Sequence, residues 1–470
     1  MRKSLRNAGS LWRISPSDLQ QKDRAALRHC SAPVKSFDIF LSHTWRTRGF
    51  WKYLSLSFHY GWMHCMIGWL VTTMTVELLF LLDILPSFWQ SEVHFQDITI
   101  RYPFGGWAVS LANLVSLTAF FLAPYLPDFR RAQTCFLDVA CIDQVDPEIM
   151  EQGVYGLGAF LKASAELRIL WSEPYLSRLW CVFEVAAYRT ANPTGKITLA
   201  PLFVEATVAA LWMGSWAVPL LYMLAVRVGM TIDYAMLLAF VPLFLGVHFL
   251  RASFRAKRRL LEDLDSFTLE SVQCQQDFDK KFIHSAISQW YGSPEAFADY
   301  VRGPLRQELL SSTEAGLPAA YSFLIVTPIL SLGVDTMAGL IKAQPPWQPL
   351  LSQFFGYLLG IMLCWGMVLV QAGIFLCDRF AGRSRSWLMD CGQSLLVFLG
   401  FVLTAFAGVQ GAVYATNGSL GASLVWFASV LVLLWLTHGG WAQVAKLKPK
   451  ASFDIKDRPD KTGAATVDAV

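Results

Sequence analysis

Eight long apolar stretches constrain this chain of 470 residues more than any other feature of its sequence. Each is close to or above the length of roughly 20 residues that an α-helix needs to cross the hydrocarbon core of a bilayer. Charged residues make up only 16% of the chain, against about a quarter in soluble domains. We therefore predict a multi-pass membrane protein in contact with the lipid bilayer. The predicted spans are Trp62–Leu82, Trp107–Leu126, Ala206–Val226, Tyr234–Leu250, Leu317–Ile341, Leu350–Leu376, Leu388–Val409 and Leu420–Leu436.

The basic residues favour an even number of spans. With eight spans, five basic stretches fall on one side of the bilayer, as the excess of Lys and Arg in cytosolic loops requires. The opposite loops contain Arg101, Arg227 and Lys342 as their basic residues. We predict that both termini are cytosolic, and a net charge of +4 indicates no nucleic-acid partner. The five basic stretches are Arg2–Lys52, Arg130–Arg131, Arg251–Arg259, Arg379–Arg385 and Lys446–Lys461.

Between the spans, on the predicted cytosolic side, apolar runs alternate with helical patterns. Asp146, Pro147 and Glu148 are typical of a helix start, with a capping side chain, a proline and an acid. Alternating strands and helices predict a parallel sheet with crossover helices. A hairpin of two spans separates the first strand from the second, and because it returns the chain to its starting side, both pieces can join one sheet. The predicted strands are Ser36–His43, Thr134–Ile142, Leu167–Trp171 and Lys196–Phe203.

These patterns divide the chain into eight predicted regions. They are a mobile basic N-terminal lead (1–35), a first strand and loop (36–61), a membrane hairpin (62–126), the remainder of the α/β domain (127–204), a second membrane hairpin (205–250), a cytosolic helical segment (251–316), four transmembrane helices (317–441) and a disordered basic tail (442–470).

Glu184 stands out in Leu170–Tyr188, a stretch that combines a strand end, a turn and a helix. Its helical neighbours three and four residues away are aromatic or small: Trp180, Cys181, Ala187 and Tyr188. None is basic, so Glu184 has no local ion-pair partner. We expect it either to lie in a pocket or to bond a distant group such as Arg46 or a backbone amide.

Three motifs resemble those of the Toll/interleukin-1 receptor (TIR) family. Ser36–His43 (SFDIFLSH) resembles the family's first motif, FD-x-F-(L/I)-S. Phe136–Asp143 resembles the second strand with its FLD opening. The stretch Ser172–Tyr188 resembles the plant-type pattern Y-x-x-S-x-W-C-x-x-E-L, with Val185 in the Leu position. The matching residues of this third motif are Tyr175, Ser177, Trp180, Cys181 and Glu184.

The resemblance implies a flavodoxin-like parallel sheet, here truncated and split by a membrane hairpin, beside an all-α polytopic region of about eight helices. It also implies homotypic assembly and, in some branches of the family, cleavage of NAD⁺ at the nicotinamide–ribose bond. Glu184 then matches the catalytic glutamate, while Arg46, Arg48 and Trp180 would bind NAD⁺ as a substrate, with no cofactor required. A carboxylate stabilises the charge that builds on the ribose, and the neutral nicotinamide needs no general acid when it leaves.

Other roles for these residues stay open at this point. Glu184 could equally serve in a cap or polar network, or lie on a solvated face. Arg46 and Arg48 could be simple charges beside the membrane, and Trp180 could pack in the core. A magnesium site at the strand ends would draw on Asp138, Asp143, Asp146 and Glu148, of which Asp146 and Glu148 are already explained by the helix start. The nine scattered cysteines contain no zinc-ligand pair.

Two acids, Glu77 and Asp335, lie within predicted spans but near their ends, so we expect both to reach the membrane interface.

Three functions follow from the sequence: a signalling module that acts by homotypic assembly, an NAD⁺ hydrolase using Glu184, and a channel or transporter regulated by the TIR-like domain.

Overall fold

A computed structural model describes residues 2–13, 24, 27, 31–127, 129, 133–274, 276–313, 317–382 and 386–440. The predicted tail, 442–470, lies outside the described residues. The strands of the described part are β1 (Phe37–Ser42), β2 (Trp89–Phe95), β3 (Ile98–Phe104), β4 (Cys135–Phe136), β5 (Ser164–Trp171) and β6 (Lys196–Pro201).

Sixteen α-helices accompany these strands in the described residues. They are α1 (Arg6–Arg13), α2 (Gly49–Leu81), α3 (Asn113–Leu122), α4 (Pro147–Tyr155), α5 (Leu157–Lys162), α6 (Leu179–Ala191), α7 (Leu202–Arg227), α8 (Ile232–Asp265), α9 (Asp277–Tyr291), α10 (Pro294–Tyr300), α11 (Arg306–Thr313), α12 (Ala319–Ala343), α13 (Trp347–Ser352), α14 (Gly366–Arg379), α15 (Trp387–Gly418) and α16 (Leu420–Trp435). One further α-helical turn, Asp138–Cys141, follows β4, and helical stretches of other types include Ala108–Ala112 before α3 and Gln353–Trp365 between α13 and α14.

Four strands form the predicted parallel sheet, in the order β4-β1-β5-β6. The central strand β1 pairs on one side with β4, where Phe40 lies opposite Phe136, and on the other with β5, where Phe40 lies opposite Leu167. All three side chains are buried. Two long apolar helical segments separate β1 from β4 in the chain, so the sheet is assembled from pieces that are far apart in sequence.

The second strand is much shorter than the apolar run Thr134–Ile142 predicts. Strand pairing covers Cys135–Phe136 alone, and a single helical turn, Asp138–Cys141, follows. The backbone N–H of Cys141 bonds the carbonyl of Leu137 rather than a neighbouring strand. Val139 is still buried, so the apolar pattern reflects packing of a helical turn and not a longer strand.

Among the described residues, eight helical segments are long and apolar enough to cross a membrane, which confirms the predicted number and fits a multi-pass membrane protein. The segments are Gly49–Leu81, Ala108–Tyr125, Leu202–Arg227, Leu237–Asp265, Ala319–Ala343, Trp347–Arg379, Trp387–Gly418 and Leu420–His438.

The first of these segments begins earlier than the sequence suggests. Its first turns come from residues 51–60, which the aromatic and basic pattern assigns to an approach along the membrane surface, but α2 is one continuous helix of 33 residues. Lys52, Tyr53 and Leu56 are buried in it, because the N-terminal residues and the sheet cover this end of the helix. α2 therefore links the sheet directly to the bundle.

A β-hairpin replaces the expected polar connection between the first two apolar segments. β2 and β3 pair in antiparallel register around a turn at Gln96, whose φ is 52°. Their inward residues Ile100, Tyr102 and Phe104 are buried against α12. The packing is close, since a Cβ on Gly339 of α12 would lie 2.3 Å from the carbonyl oxygen of Pro103. The hairpin therefore lies at one end of the bundle, where it packs against α12.

The helical segment after α8 shares one hydrophobic core with the sheet and α6. Phe297 and Leu309 from this segment are buried together with Val185 of α6 and Leu199 of β6. Ion pairing adds to the contact, since Arg189 of α6 bonds Glu308 at 2.6 Å. Residues 277–313 are therefore part of the α/β region rather than a separate layer.

The N-terminal lead, expected to be mobile, also packs against the α/β region where it is described. Leu5 and Trp12 are each 1% exposed and join the cluster formed by Ile39, Leu41 and Tyr53.

Candidate functional site

The carboxyl ends of the parallel strands lie along one edge of the sheet, and β1 is the strand at which the chain order of the strands reverses. β4 lies on one side of β1 and β5 on the other, so the loops that follow these strands diverge and leave a crevice, the usual ligand position in open α/β sheets. Thr47 Oγ1 and Ser172 Oγ are 2.5 Å apart and join the loops after β1 and β5. Glu184 reaches this edge from α6.

Glu184 is bonded to the last residue of β1. The Ser42 hydroxyl donates to Glu184 Oε2, and the Ser42 oxygen accepts from the Tyr175 hydroxyl at 2.5 Å, because serine has one hydrogen to give. Ser42 is 0% and Tyr175 1% exposed, while Glu184 is partly buried. Of the partners expected for Glu184, neither Arg46 nor a backbone amide is used. The donor is a side chain of the first sequence motif, Ser36–His43.

Burial raises the pKa of the Glu184 carboxyl well above its usual range. The hydrogen bond from Ser42 lowers that pKa, and the nearby carboxylate of Asp138 raises it. Burial likewise raises the pKa values of Tyr175 and Cys181 well above their usual ranges, with the charge of Glu184 contributing to both. This shift favours the protonated form of the carboxyl group, whereas stabilising a cation needs the carboxylate.

A second polar cluster adjoins Ser42 on the other side of β1. Trp45 Nε1 donates to Asp138 Oδ2 at 2.8 Å, and His43 Nε2 lies 4.0 Å from Asp138 Oδ1. Lys52 Nζ donates to the carbonyl oxygen of Thr44 at 3.1 Å and lies 4.5 Å from the centre of the Trp45 ring. Lys52 is only 1% exposed, so its charge is balanced within the protein by a carbonyl, an aromatic face and the Asp138 carboxylate.

His43 is neutral at physiological pH. Burial lowers its pKa to about 4, an effect that Asp138 opposes and Lys52 reinforces. The edge of the Trp12 ring from α1 packs on His43, with ring centres 5.3 Å apart. The N-terminal helix therefore closes this side of the crevice.

The residues predicted to bind a nucleotide make contacts within the chain instead. Arg46 donates to Gln273 Oε1 at 2.8 Å, and Trp180 Nε1 donates to Asp279 at 3.1 Å. Arg48 is the residue before α2. Gln273 also pairs with the backbone around Arg178. The segment before and within α9 thus covers the side of the crevice that carries Arg46 and Trp180.

The space left beside these residues is small. A cavity of about 70 Å³ is lined by Arg178, Leu179, Trp180, Gln273, Cys274, Gln276 and Asp279. Small-molecule pockets are about 300–1,000 Å³, so a dinucleotide does not fit here unless the segment around residues 273–279 moves away.

The acids considered for magnesium have other partners. Asp143 Oδ1 accepts the backbone N–H groups of Val145 and Asp146, and Asp146 caps α4 as predicted by accepting from Glu148 and Ile149. Within the described residues, no group of three or more His, Cys, Asp or Glu side chains is placed to hold a metal ion.

Sequence reasoning missed Lys52, His43 and Tyr175 as neighbours of the site. Tyr175 and Ser42 belong to quoted motifs, so their pairing was open to prediction. Lys52 was not, because an aromatic stretch with one lysine at the start of a span is equally typical of a membrane interface.

Comparison with family models, with curated proteins and with solved structures finds no match to this chain.

Proposed function

We propose that this chain is a membrane-anchored signalling protein whose TIR-like α/β region acts through homotypic assembly on the cytosolic face. The observation that carries the proposal is the bond between Ser42 of the first motif and Glu184 of the third. Ser42 and Glu184 are 142 positions apart in the chain, and their bond brings two of the three motifs together at the strand ends.

The strand order adds support. When the four strands of this sheet are numbered in chain order, they lie side by side as 2-1-3-4. This corresponds to the flavodoxin-like order 2-1-3-4-5 without its last strand. Helix α11 packs on β6, which is the edge strand beside which a fifth strand would pair. These features support a truncated flavodoxin-like domain, with the first two apolar helical segments inserted between its first two strands.

The α/β region also exposes apolar side chains that suit contact with a second copy. Ile149 and Met150 project from α4, and Phe278 of α9 lies 6.1 Å from the Tyr155 ring that ends α4. Exposed apolar side chains of this kind are candidate contact residues for an interaction surface.

Energy transfer between donor-labelled and acceptor-labelled full-length chains in vesicles tests the assembly. We expect transfer that unlabelled protein competes away, and less of it in Ile149→Asp. The matched control is Glu151→Gln, on the exposed face of the same helix. Transfer no greater than that of an unrelated labelled membrane protein at the same density would sink the proposal. A reporter fused after Val470 must be cytosolic for the proposed orientation to hold.

NAD⁺ hydrolysis is the second candidate, favoured by the position of Glu184 at the strand edge. It requires Glu184 to lose its proton and residues 273–279 to leave Arg46 and Trp180. We expect nicotinamide release from NAD⁺ by clustered wild-type protein and none by Glu184→Gln. Equal release by the two proteins, or none by the wild type, would exclude this activity for Glu184.

The third function predicted from the sequence, a channel or transporter, is tested by ion flux in reconstituted vesicles. The bundle contains a cavity of about 360 Å³, which is lined mainly by apolar side chains such as Leu243, Ile329 and Phe401. Such a lining has no ring of charges or carbonyls to select an ion. We therefore place this function last.

A further inference from the structure

Three helical segments bring polar side chains together at the hairpin end of the bundle. They are α2, the second apolar segment Ala108–Tyr125, and α12. Two acids lie there, Glu77 on α2 and Asp335 on α12, at 7% and 1% exposure. The expectation that both reach the membrane interface is wrong, because the packing of the three segments turns both side chains inward.

Asp335 is held by the first turn of the second segment. Its Oδ1 accepts the backbone N–H of Ala108 at 3.1 Å, and its Oδ2 accepts that of Val109 at 2.9 Å. Backbone N–H groups at a helix start carry partial positive charge and favour an anion. Both oxygens of Asp335 therefore have a donor that suits the ionised form.

Glu77 has no such donor. Neither of its carboxyl oxygens accepts a hydrogen bond from any N–H or O–H group of the described residues, although both are shielded from solvent. The group it faces is the carboxyl of Asp335. A buried acid thus lies against a second buried acid, with no base between them.

The surroundings supply further oxygens but no free cation. Thr73 Oγ1, one turn before Glu77 on α2, and Asn113 Oδ1 are buried and have no partner in the described structure. The nearest lysine, Lys342 of α12, bonds Asp83 at 2.6 Å and donates to the carbonyl of Phe80 at 3.0 Å.

Three tyrosines add titratable groups on this side: Tyr102 of β3, whose hydroxyl contacts Ser91 and Thr336, Tyr357, whose hydroxyl contacts Thr336, and Tyr222 beside them. In the part of the chain that the structure describes, no cationic side chain is placed to neutralise Glu77 and Asp335 together.

Two carboxylates in contact within an apolar interior cannot both be ionised, because their repulsion is not screened there. One proton removes the repulsion and supplies the missing donor. We propose that Glu77 and Asp335 form a proton-binding site, in which the Glu77 carboxyl carries one proton and donates it as a hydrogen bond to the Asp335 carboxylate.

The geometry favours a proton over a metal ion. A metal ion needs several oxygens arranged around an open space, whereas here both Asp335 oxygens are occupied by N–H donors that would point at the cation. A proton needs only the contact between the two carboxyl groups. Intramembrane acids that face each other in this way are typical of proton-binding sites in membrane proteins.

Infrared difference spectra of full-length protein in lipid nanodiscs, recorded between acidic and alkaline pH, test the site. We expect a carbonyl stretch of a protonated carboxylic acid in the wild type that disappears as the pH rises. Glu77→Gln keeps the shape and donates its amide N–H to Asp335, so it should fold and lose the part of this band that Glu77 contributes, while the part contributed by Glu184 remains. Glu92→Gln is the matched control, because it makes the same change on the exposed hairpin and should keep the band.

Thermal unfolding provides a second measurement. The wild-type melting temperature should fall as rising pH removes the shared proton, and that fall should be smaller in Glu77→Gln and unchanged in Glu92→Gln. A carboxylic acid band and a fall in melting temperature that are as large in Glu77→Gln as in the wild type would overturn the proposal. So would a melting temperature that rises when sodium replaces choline at constant pH and ionic strength, since that result assigns the acids to a sodium ion.

Discussion

Glu184 in the α/β region and Glu77 in the helical bundle are both shielded acids on helices without a basic partner, yet their environments differ. Glu184 accepts a hydrogen bond from Ser42, which is itself bonded to Tyr175. Glu77 faces another acid and has no donor in the described structure. The first acid has a hydrogen-bond donor supplied by the fold, whereas the second has none until a proton is added. The same residue type therefore joins a side-chain network in one region and faces a second acid in the other.

The largest expected effect tests whether the two regions are independent. Phe297→Ala empties a fully buried position in the core that α10 shares with the sheet and α6. We expect a loss of about 3–5 kcal/mol in the free energy of unfolding of the α/β region. Hydrogen exchange measured by peptide should show this loss in β5 and α6 but not in α12. Phe278→Ala, at an exposed position of α9, is the control and should change stability by about 0.5 kcal/mol or less. Equal loss of protection in α12 would mean that the regions unfold as one unit.

A smaller effect is expected from Ser42→Ala, which leaves the Glu184 carboxyl and the Tyr175 hydroxyl without their shared partner. Unpaired buried polar groups cost about 1–3 kcal/mol, and denaturant unfolding measures the change. Ser57→Ala is the matched control, because Ser57 is buried and its hydroxyl has no partner in the described structure. If both variants lose the same stability, the network around Glu184 contributes nothing specific.

In the bundle, Trp69→Phe removes the indole N–H that donates to Ser331 at 2.8 Å while keeping most of the ring volume. We expect a loss of about 1 kcal/mol in thermal unfolding. Trp365→Phe is the control, since Trp365 Nε1 is shielded and unpartnered in the described residues. A larger loss in the control would show that ring packing, rather than the hydrogen bond, decides the result.

The smallest change at neutral pH is expected from Glu184→Gln, because an amide of the same shape replaces a carboxyl group whose protonated form is favoured; we expect about 0.5 kcal/mol or less. Its pH dependence is the informative quantity. The folded protein holds the Glu184 proton more tightly than the unfolded chain, so this stabilisation is complete below the ordinary carboxyl pKa of about 4 and is lost as pH rises through the raised pKa. The variant should lack this decline.

The pH dependence of stability in Glu184→Gln should be measured above pH 6.5. His43, whose pKa is lowered to about 4, destabilises the fold only as the pH falls from about 6.5 to 4. An unchanged pH profile in Glu184→Gln would contradict the raised pKa. The same variant in nanodiscs leaves the Glu77 band intact, so the two acids can be distinguished.

The sheet was predictable because each strand is an apolar run beside a helix signal, and the cap at Asp146 could be identified from three adjacent residues. The hairpin β2–β3 was not, since seven-residue strands with alternating polar residues are hard to tell from a polar loop. The short β4 was overestimated because burial in a helical turn produces the same apolar pattern as burial in a strand.

Within the site, sequence patterns identified Glu184 but not its partner. Its lack of a local basic neighbour indicated a distant partner, yet Arg46 was an equally reasonable choice until the loop after β1 turned Arg46 toward Gln273. For Glu77 and Asp335, position near the span ends suggested solvent access. Which face of a helix points inward depends on how three segments pack, and a single sequence does not contain that information.

The position of β1 has a consequence for biosynthesis. This strand leaves the ribosome before either apolar segment of the hairpin, and both of its sheet neighbours follow those segments in the chain. During synthesis the backbone groups of β1 therefore have no partner strand until the hairpin has inserted and β5 has emerged. Parallel pairing across such a separation is intrinsically slow. The early contacts of Leu41 with Trp12 and Leu5 of the N-terminal segment can shield the waiting strand from other nascent chains.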